Sequence, residues 1–445
     1  MKRVALHTLG CKLNFAETAS IGRQFRDRGF TLVDYSEPSD VFVLNTCSVT
    51  ERADRECRQL IRRVRRKSPN AYVIVMGCYA QLRPDEIKSI GGVDLILGAK
   101  EKFNLFEFTG TVEKEDETRV HISQIGTVDT FGKASSAESS DRTRAFLKIQ
   151  DGCDYSCSFC TIPLARGLSR SISIEDICVQ AIQIAEQGYK EIVLTGVNVG
   201  DYGRKISTNL LSLLKSLSTI GGIERIRVSS IEPNLLTDDL VDYWLAEKKL
   251  CKHFHVPLQS GNDSILASMR RRYRTDLYTA RIEKIKSVCP DACVGADILV
   301  GFPGETSALF EESYRYLREM PLSYLHTFTY SERPSTDAVR FADRVEPRER
   351  AERSERLRML GIRKRRMFHE SFVGKSVNVL FEYEQEEGWW SGFTDEYVRV
   401  ISRSQESISN QIHPVQIVSS NNENCIGELP AKYQERDPMR QVQVA

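Results

Sequence analysis

The sequence predicts an α/β protein in three parts: a doubly wound domain over residues 1–125, a complete or partial barrel of six β/α units over 143–370, and a small antiparallel β-barrel over 371–437. Apolar strands alternate with helical patterns through the first two parts, which indicates parallel sheets covered by helices. Short β-like runs separated by turn residues follow, which favour the final barrel. Residues 126–142 are rich in Ser, Gly, Thr and charge and are predicted to be a linker.

The composition is that of an ordinary globular protein with an excess of cysteine. The chain has 445 residues, 41% hydrophobic residues, 12 cysteines and a net charge of +1. The cysteines are too few for a disulfide scaffold and indicate metal or redox use in a reducing compartment. There is no signal-peptide pattern and no apolar run that would cross a membrane, so we expect a soluble cytoplasmic protein.

In the first part, four apolar runs and two helical patterns alternate. The predicted strands cover 2–8, 40–45, 71–76 and 93–97. The predicted helices cover 15–28 and 53–67. Cys11, Cys47 and Cys78 each follow one of these strands. The carboxyl ends of parallel strands meet at one edge of a sheet, so the three thiols are expected to converge. One such cysteine is usually a packing residue, as we predict for Cys57, but three at equivalent positions predict a metal cluster.

In the second part, six strands and five helices are predicted. The strands cover 144–149, 191–194, 225–228, 253–256, 294–300 and 324–329. The helices cover 174–187, 210–218, 236–247, 276–288 and 306–318. Glycine, hydroxyl and amide residues follow the strands, at the end of a β/α barrel where chemistry takes place. His253 and His255 are interpreted as strand residues rather than catalytic bases.

A C-x3-C-x2-C run, formed by Cys153, Cys157 and Cys160, follows the first of these strands. Three thiolates on one tight loop can hold three corners of an iron–sulfur cluster. No fourth cysteine follows at ferredoxin-like spacing, so one iron would be left open for a substrate. A zinc knuckle or an unrelated thiol cluster is the alternative interpretation.

Charge is distributed unevenly along the chain. The helix over 52–67 carries eight Arg or Lys against two acids, and 344–366 carries ten against four, whereas 371–436 has ten acids against five Lys or Arg. The first run predicts contacts with RNA phosphates, although a solvated helix face is the common alternative. Its candidate residues are Arg62, Arg63, Arg65 and Arg66. The aromatic residues of the last part are interpreted as core rather than as base-stacking platforms.

The cysteine loop, with Phe159 before its last cysteine, resembles the signature of the radical S-adenosylmethionine (SAM) enzymes. With both cysteine sets considered, the chain resembles the methylthiotransferases of that superfamily, whose last domain is of the TRAM type. The segments 8–14, 45–50 and 77–81 look like the MtaB-type subgroup.

The resemblance implies methylthiolation of carbon 2 of N6-threonylcarbamoyladenosine, beside the tRNA anticodon. It implies two [4Fe-4S] clusters, held by the two cysteine triads, and two SAM molecules, one as radical source and one as methyl donor. A flavodoxin or ferredoxin would supply electrons. The SAM contacts that it implies are Phe159, Gly196, Asn198, Ser230, Gln259 and Arg270.

Two other functions remain open from the sequence. The acidic last part is compatible with a related branch that methylthiolates an aspartate of a ribosomal protein, because a basic protein suits an acidic partner. A non-catalytic iron–sulfur module that binds RNA is the other.

Overall fold

A computed structural model describes residues 1–114, 116–137 and 143–430. Residues 138–142 of the predicted linker and 431–437 of the predicted last barrel lie outside the described residues. Within those ranges, no helix combines the length and the apolar character needed to cross a membrane.

The first part is a six-stranded parallel sheet in the order β2-β1-β3-β4-β5-β6. Its strands are β1 (Arg3–Thr8), β2 (Thr31–Val33), β3 (Val41–Thr46), β4 (Tyr72–Gly77), β5 (Leu95–Leu97) and β6 (Arg119–His121). The four predicted strands are confirmed. The edge strands β2 and β6 were not predicted, because each has three residues, partly exposed, and carries no clear apolar pattern.

Helices cover both faces of this sheet, which confirms the doubly wound prediction. They are α1 (Lys12–Asp27), α2 (Glu51–Lys67), α3 (Cys78–Leu82) and α4 (Pro84–Ile90). Successive residues of a strand point to opposite faces. In β3, Val41 and Val43 therefore pack with α1, whereas Phe42 and Leu44 pack with α2.

The second part contains six parallel strands in two groups, β11-β10-β7 and β12-β13-β14. Its strands are β7 (Arg144–Lys148), the short pair β8 (Gln150–Asp151) and β9 (Arg170–Ser171), β10 (Glu191–Thr195), β11 (Arg225–Val228), β12 (His253–His255), β13 (Cys293–Val300) and β14 (Tyr324–Thr329). A parallel bridge between Ser230 and His255 joins the groups. Among the described residues β14 does not pair with β7, so the barrel is partial.

The barrel helices close one large apolar core around these strands. They are α5 (Ile162–Arg166), α6 (Ile174–Glu186), α7 (Leu210–Ser218), α8 (Asp238–Ala246), α9 (Asp263–Ser268), α10 (Thr275–Val288), α11 (Ser307–Glu319) and α12 (Pro347–Glu370), the last leading into the third part. The five helices predicted for the barrel are confirmed. The short helices α5 and α9 have too few turns to show a helical period.

The third part is a closed barrel in the order β15-β16-β17-β19-β18. Its strands are β15 (Ser376–Glu386), β16 (Trp389–Thr394), β17 (Arg399–Arg403), β18 (Ile412–Ser420) and β19 (Cys425–Glu428). The predicted small antiparallel barrel is confirmed, and one of its strand pairs, β17 with β19, runs parallel. A closed ring of five strands cannot alternate in direction at every neighbour, so one parallel pair is unavoidable.

Trp390, Phe393 and Tyr397 of this barrel serve packing, as predicted, whereas Trp389 is exposed. Trp390 is buried in its core. Tyr397 stacks between Phe393 and His253, with ring centroids 4.7 and 4.5 Å away. His253 belongs to β12, so this stacking contact packs the third part against the partial barrel. Trp389 is 36% exposed.

Candidate functional site

The C-x3-C-x2-C loop lies at the carboxyl end of β7, between β8 and α5. Its turn is closed by the Cys160 amide, which donates to the Cys157 carbonyl at 3.1 Å. The amides of Tyr155 and Ile162 donate to the sulfurs of Cys153 and Cys160, each at 3.4 Å. Hydrogen bonds of this kind stabilise thiolate sulfur, which is the form that binds metal.

A buried arginine completes the surroundings of this loop. Arg271 donates to the Cys157 sulfur at 3.1 Å and to the Tyr273 hydroxyl at 3.0 Å, and its guanidinium is ion-paired with Glu232. Burial raises the pKa of Cys157, and the charge of Arg271 opposes that rise. The guanidinium therefore favours the thiolate over the thiol at this position.

Among the described residues, no cationic side chain donates to the sulfurs of Cys153 or Cys160. Burial raises the pKa of Cys153 to about 11 and that of Cys160 to about 12. At neutral pH these thiols hold their protons until a metal displaces them.

Cys11, Cys47 and Cys78 follow β1, β3 and β4, which are neighbours in the first sheet. The predicted convergence of these strand ends is confirmed. Cys11 is exposed, and Cys47 and Cys78 are buried. Burial raises the pKa of Cys47 to about 12, and the other two thiols are close enough to interact electrostatically with it.

Gly10 permits the close approach of these strand ends. Its φ is +100°, and a Cβ placed there would lie 2.7 Å from Cβ and 2.9 Å from Sγ of Cys47. An L-residue is strained in that conformation and has no room beside the thiol. The glycine before Cys11 is therefore required by the shape of the site.

The sulfur spacing bears on the zinc alternative. In the described ranges, one group of three potential ligands has all its ligand atoms within 4.8 Å of one another, namely His255, Asp297 and His326. Neither cysteine triad is that compact. Sulfurs around a single zinc ion lie about 3.8 Å apart, given Zn–S bonds of about 2.3 Å. Neither triad therefore has, in this structure, the compact ligand arrangement of a single-zinc site.

The carboxyl ends of the barrel strands border one cavity of about 220 Å³, which is lined by residues of the cysteine loop and of the segment after Cys47. Its wall includes Phe159 and Cys160 from the cysteine loop, and Val49 and Thr50, which follow Cys47 in the first part. The remaining wall comes from the carboxyl ends of β12, β13 and β14 and the segments that follow them. The cavity thus lies between the cysteine loop and the segment that follows Cys47.

Arg333, in the segment after β14, joins the first part to this cavity. It donates to the Ser48 hydroxyl at 2.8 Å and is paired with Asp54 at 2.5 Å. Ser48 follows Cys47 directly, so this buried contact holds the Cys47 segment against the barrel.

Asp297 is a charged wall residue that the sequence did not single out. Its Oδ1 accepts from His255 Nε2 at 2.8 Å and lies 3.3 Å from His326 Nδ1. Burial alone would raise the pKa of Asp297, but the two histidines hold it well below the usual range. The cavity therefore presents a carboxylate to hydroxyl or N–H donors of a bound molecule.

The predicted SAM contacts are placed unevenly around the cavity. Phe159 and Gln259 line it. Gly196 packs against Gln150, and Ser230 shares a hydrogen bond of 3.1 Å with His255 Nδ1. Asn198 is buried, and neither polar atom of its side chain has a partner among the described residues.

Arg270 is not brought to the cavity. Its side chain is 48% exposed and is paired with Asp337 at 2.6 Å. Arg271 is the buried neighbour that reaches the cysteine loop. The run Arg270-Arg-Arg272 offers three consecutive guanidiniums, and sequence alone cannot say which one points inward. The left-handed backbone at Arg270, with φ of +58°, decides it.

The predicted RNA-binding arginines lie on α2 and are all exposed. Arg63 donates to the Tyr35 hydroxyl at 3.4 Å and Arg65 to the Ile90 carbonyl at 3.1 Å. For Arg62 and Arg66, the described parts of the chain contain no partner. The helix begins beside the cavity, so these two residues lie roughly 18–24 Å along it.

Fold and site together define a class of protein: a partial barrel of parallel strands with this cysteine loop after its first strand is the architecture of a radical SAM enzyme. Residues 147–317 match the Radical SAM superfamily, and residues 3–98 match the family described as "Uncharacterized protein family UPF0004". A solved structure supports the fold. The radical SAM methyltransferase TsrM from Kitasatospora setae superposes with a TM-score of 0.56 at 14% identity, over 76% of this chain and 77% of TsrM.

Curated relatives narrow the class. The chain is 38% identical over 426 residues to "Threonylcarbamoyladenosine tRNA methylthiotransferase MtaB" of Bacillus subtilis (strain 168), with 94% of each protein covered. It is 33% identical to the protein of that name from Thermotoga maritima, over 97% of this chain and 100% of the relative. It is 32% identical to "tRNA-2-methylthio-N(6)-dimethylallyladenosine synthase" of Syntrophus aciditrophicus (strain SB), over 86% of this chain and 84% of the relative. The chain belongs to the radical SAM methylthiotransferase family and is an enzyme of that type.

Membership of the superfamily implies a [4Fe-4S] cluster and SAM, and the residues present fit both. The cysteine loop offers three thiols, with amide and guanidinium donors to their sulfurs. The unpartnered amide of Asn198 is a buried polar group, and such groups are normally hydrogen-bonded, so it indicates a polar ligand at this end of the barrel.

Proposed function

We propose that the chain is a tRNA methylthiotransferase that modifies carbon 2 of N6-threonylcarbamoyladenosine, beside the anticodon. The observation that carries this proposal is that the cavity is lined both by Cys160 of the cysteine loop and by Val49 and Thr50, which follow Cys47, with Thr161 donating to the Ser48 carbonyl beside it. A radical generator alone needs only one triad. A second group of thiols whose Cys47 segment meets the cysteine loop fits a reaction that also inserts sulfur. The names of the most similar relatives support the threonylcarbamoyl substrate.

In this proposal Cys153, Cys157 and Cys160 hold the cluster that binds SAM. When bound, the cluster and SAM supply the radical that removes hydrogen from the substrate carbon. The chain itself orients SAM and excludes water. Arg271 and Glu232, a buried ion pair in contact with Cys157, suit the charged amino-acid end of SAM, and Arg271 is a better candidate for this than Arg270.

The remaining SAM contacts follow from the lining of the site. Phe159 offers an apolar ring to the adenine, Gln259 and Asp297 offer polar groups at the cavity wall, and Asn198 offers its unpartnered amide. Gly196 and Ser230 stay in the proposal as parts of the surrounding wall.

Cys11, Cys47 and Cys78 are proposed to hold a second [4Fe-4S] cluster that presents sulfur to the substrate, with a second SAM as methyl donor. The burial of Cys47 and Cys78 protects such a cluster from water. The exposure of Cys11 leaves one side accessible to a sulfur source. A flavodoxin or ferredoxin is the proposed electron donor.

The tRNA is proposed to contact the basic face of α2. Its exposed guanidiniums begin close to the cavity and extend away from it, as the phosphates of an anticodon stem-loop would. The acidic third part is proposed to contact RNA only through a local face. Its composition keeps the ribosomal-protein aspartate as the second candidate substrate.

The deciding experiment is mass spectrometry of tRNA nucleosides from a strain that lacks the gene. The proposal expects loss of 2-methylthio-N6-threonylcarbamoyladenosine, with N6-threonylcarbamoyladenosine in its place, and restoration by the intact gene. Loss of the dimethylallyl counterpart instead would assign the chain to the other tRNA substrate. If both nucleosides persist and a ribosomal-protein aspartate loses its methylthio group, the second candidate is correct.

A further inference from the structure

A group of charged side chains is buried where the first part meets the partial barrel. Its members are at most 5% exposed and come from α1, the segment after β5, the end of β7, β8 and α5. They are Glu17, Lys102, Lys148, Asp151 and Arg166. Nothing in the proposed chemistry uses them, and every one lies close to a cysteine site.

Arg166 is the centre of this group. Its Nη1 lies 3.0 Å from Glu17 Oε1 and 2.9 Å from Asp151 Oδ1. Its Nη2 lies 3.1 Å from Glu17 Oε2 and 2.5 Å from Asn14 Oδ1. One planar guanidinium therefore bonds three side chains at once, two of them from the first part and one from the barrel.

The hydrogen bonds of Arg166 lead, through its partners, to residues beside both cysteine sites. On the barrel side, Asp151 accepts the Gly152 amide at 2.8 Å, directly before Cys153. On the other side, the amide nitrogen of Asn14 donates to the carbonyls of Leu9 at 2.8 Å and Thr46 at 3.1 Å.

Leu9 lies two residues before Cys11, and Thr46 lies one residue before Cys47. A continuous chain of hydrogen bonds through Asp151, Arg166 and Asn14 thus connects the backbones of the two triads. Arg166 is itself six residues after Cys160, at the end of α5.

Such a group is not needed simply to hold two domains together. Buried ion pairs are often no more stabilising than apolar residues of the same size, because desolvation offsets their attraction. What they add is geometry, since a buried charge tolerates few arrangements. Here the pairing is satisfied: burial alone would raise the pKa of Glu17, yet Arg166, Lys102 and Lys148 hold it well below its usual range.

We propose that Arg166 is a positioning residue that fixes the separation and relative orientation of the two thiol triads. The inference rests on the proposed function, in which sulfur held at one triad must meet a carbon radical generated through the other. A displacement of about 1 Å between reacting groups can cost about 100-fold in rate, so a rigid buried link between the two sites has a direct use.

The test uses the full-length enzyme with both clusters reconstituted, in the variants Arg166→Lys and Asn14→Ala. Arg166→Lys keeps the charge and loses the fork that bonds three partners at once. Asn14→Ala leaves every charge in place and removes the hydrogen bond from Arg166 together with the link to Leu9 and Thr46. The matched control is Arg170→Lys. Arg170 also contacts Asp151, at 3.4 Å, and donates to the backbone carbonyl of Arg166 at 2.8 Å, but among the described residues it has no hydrogen bond to Glu17 or Asn14.

Two measurements are made on each protein: methylthiolated nucleoside formed per 5′-deoxyadenosine released, and the spin–spin interaction between the two reduced clusters by pulsed EPR. With iron content unchanged, we expect the product ratio of both variants to fall by about 10- to 100-fold. The spin–spin interaction should broaden or shift. Arg170→Lys should resemble the parent enzyme in both.

The inference is overturned if Arg166→Lys and Asn14→Ala bind both clusters and keep the parent's product ratio and spin–spin interaction. If Arg166→Lys does not fold, Asn14→Ala decides alone. Failure of the proposed function has a different signature, since the parent enzyme would then bind one cluster or release 5′-deoxyadenosine with no methylthiolated nucleoside.

Discussion

Cys153, Cys157 and Cys160 lie within eight consecutive residues, whereas Cys11, Cys47 and Cys78 are spread over 68. The first triad is shaped by its own loop, with amides from that loop donating to two of the sulfurs. The second triad is assembled by three strands of a sheet, so its geometry depends on the folding of the whole sheet. The comparison teaches that a local site depends on a few nearby residues, and a distributed site depends on the packing of a whole domain.

The two triads also differ in what balances the burial of their sulfurs. A guanidinium donates directly to Cys157. Around Cys78 the charges of Arg166 and Lys102 oppose the rise of its pKa that burial causes. Arg271 belongs to the barrel alone, whereas Arg166 is shared between the two parts. A substitution at the first site should therefore have only local effects. A substitution at the second site should also change the position of the two triads relative to each other.

The largest expected effect separates the chemistry of the two triads. Cys157→Ala should reduce SAM cleavage to background, because the loop then offers too few thiols for a cluster. Replacing Cys11, Cys47 and Cys78 together by Ala should remove about half of the iron and all methylthiolation, yet leave SAM cleavage measurable.

Cys57→Ala is the matched control for that experiment. Cys57 is a buried cysteine of the same domain, on α2, that packs in an apolar cluster. The iron content and the activity of the Cys57→Ala variant should equal those of the parent enzyme. Loss of SAM cleavage in the folded triple variant would contradict the division of labour between the triads.

The second prediction tests the site formed by Cys11, Cys47 and Cys78 by changing its backbone. Gly10→Ala should remove the second cluster and leave the first, because the new Cβ meets Cys47 while φ stays at +100°. Gly29→Ala is the control: Gly29 also has a positive φ, of +81°, and a Cβ there meets nothing within 4 Å.

Strain alone should destabilise the Gly29 variant by about 1–2 kcal/mol, with full iron content. Iron per chain and urea unfolding measure the two effects separately. Equal iron loss in both variants would mean that strain, and not the approach of Gly10 to the thiol, is what matters.

The third prediction sharpens the description of the local site. Arg271→Lys loses the fork that bonds Cys157, Glu232 and Tyr273, and a charged hydrogen bond contributes about 1.5–3 kcal/mol. SAM cleavage should slow by about 10- to 100-fold. Arg270→Lys, with its exposed pair to Asp337, should change the rate less than about fivefold. The reverse order of the two variants would support the original prediction of Arg270.

The smallest expected effect concerns RNA, far from either triad. Arg62→Glu with Arg66→Glu should weaken tRNA binding at low salt. It should also flatten the slope of log affinity against log salt by about one for each lost phosphate contact. Arg348→Glu reverses an arginine that is 91% exposed on α12 and serves as the control. Unchanged affinity in the α2 variant would make that helix only a solvated face.

The fold was largely predictable because most of its elements carry a strong pattern. The central strands β3 and β4 of the first sheet are continuous apolar runs, and most helices have one apolar face. The strands that were not predicted, β2, β6, β8, β9, β16 and β19, are six residues or fewer. The direction of β19 beside β17 follows from closing a ring of five strands, which no local pattern expresses.

The site was predictable where one residue type repeats and not where residues meet through space. All six thiols are recognisable from the sequence. Arg271 was missed because three arginines adjoin and only backbone geometry selects among them. Asp297 carries no signal, because one aspartate inside an apolar strand has many possible roles.

By itself, the sequence determined the cysteine loop and the alternation of strands and helices, because both depend on residues near one another in the chain. Only the tertiary structure decided that the segment after Cys47 meets the cysteine loop at one cavity, and that Arg166 bonds Asn14 and Glu17. Those partners are 152 and 149 residues away in the chain. Contacts at such a separation arise from the packing of whole domains, which is where the relation between the two cysteine sites is set.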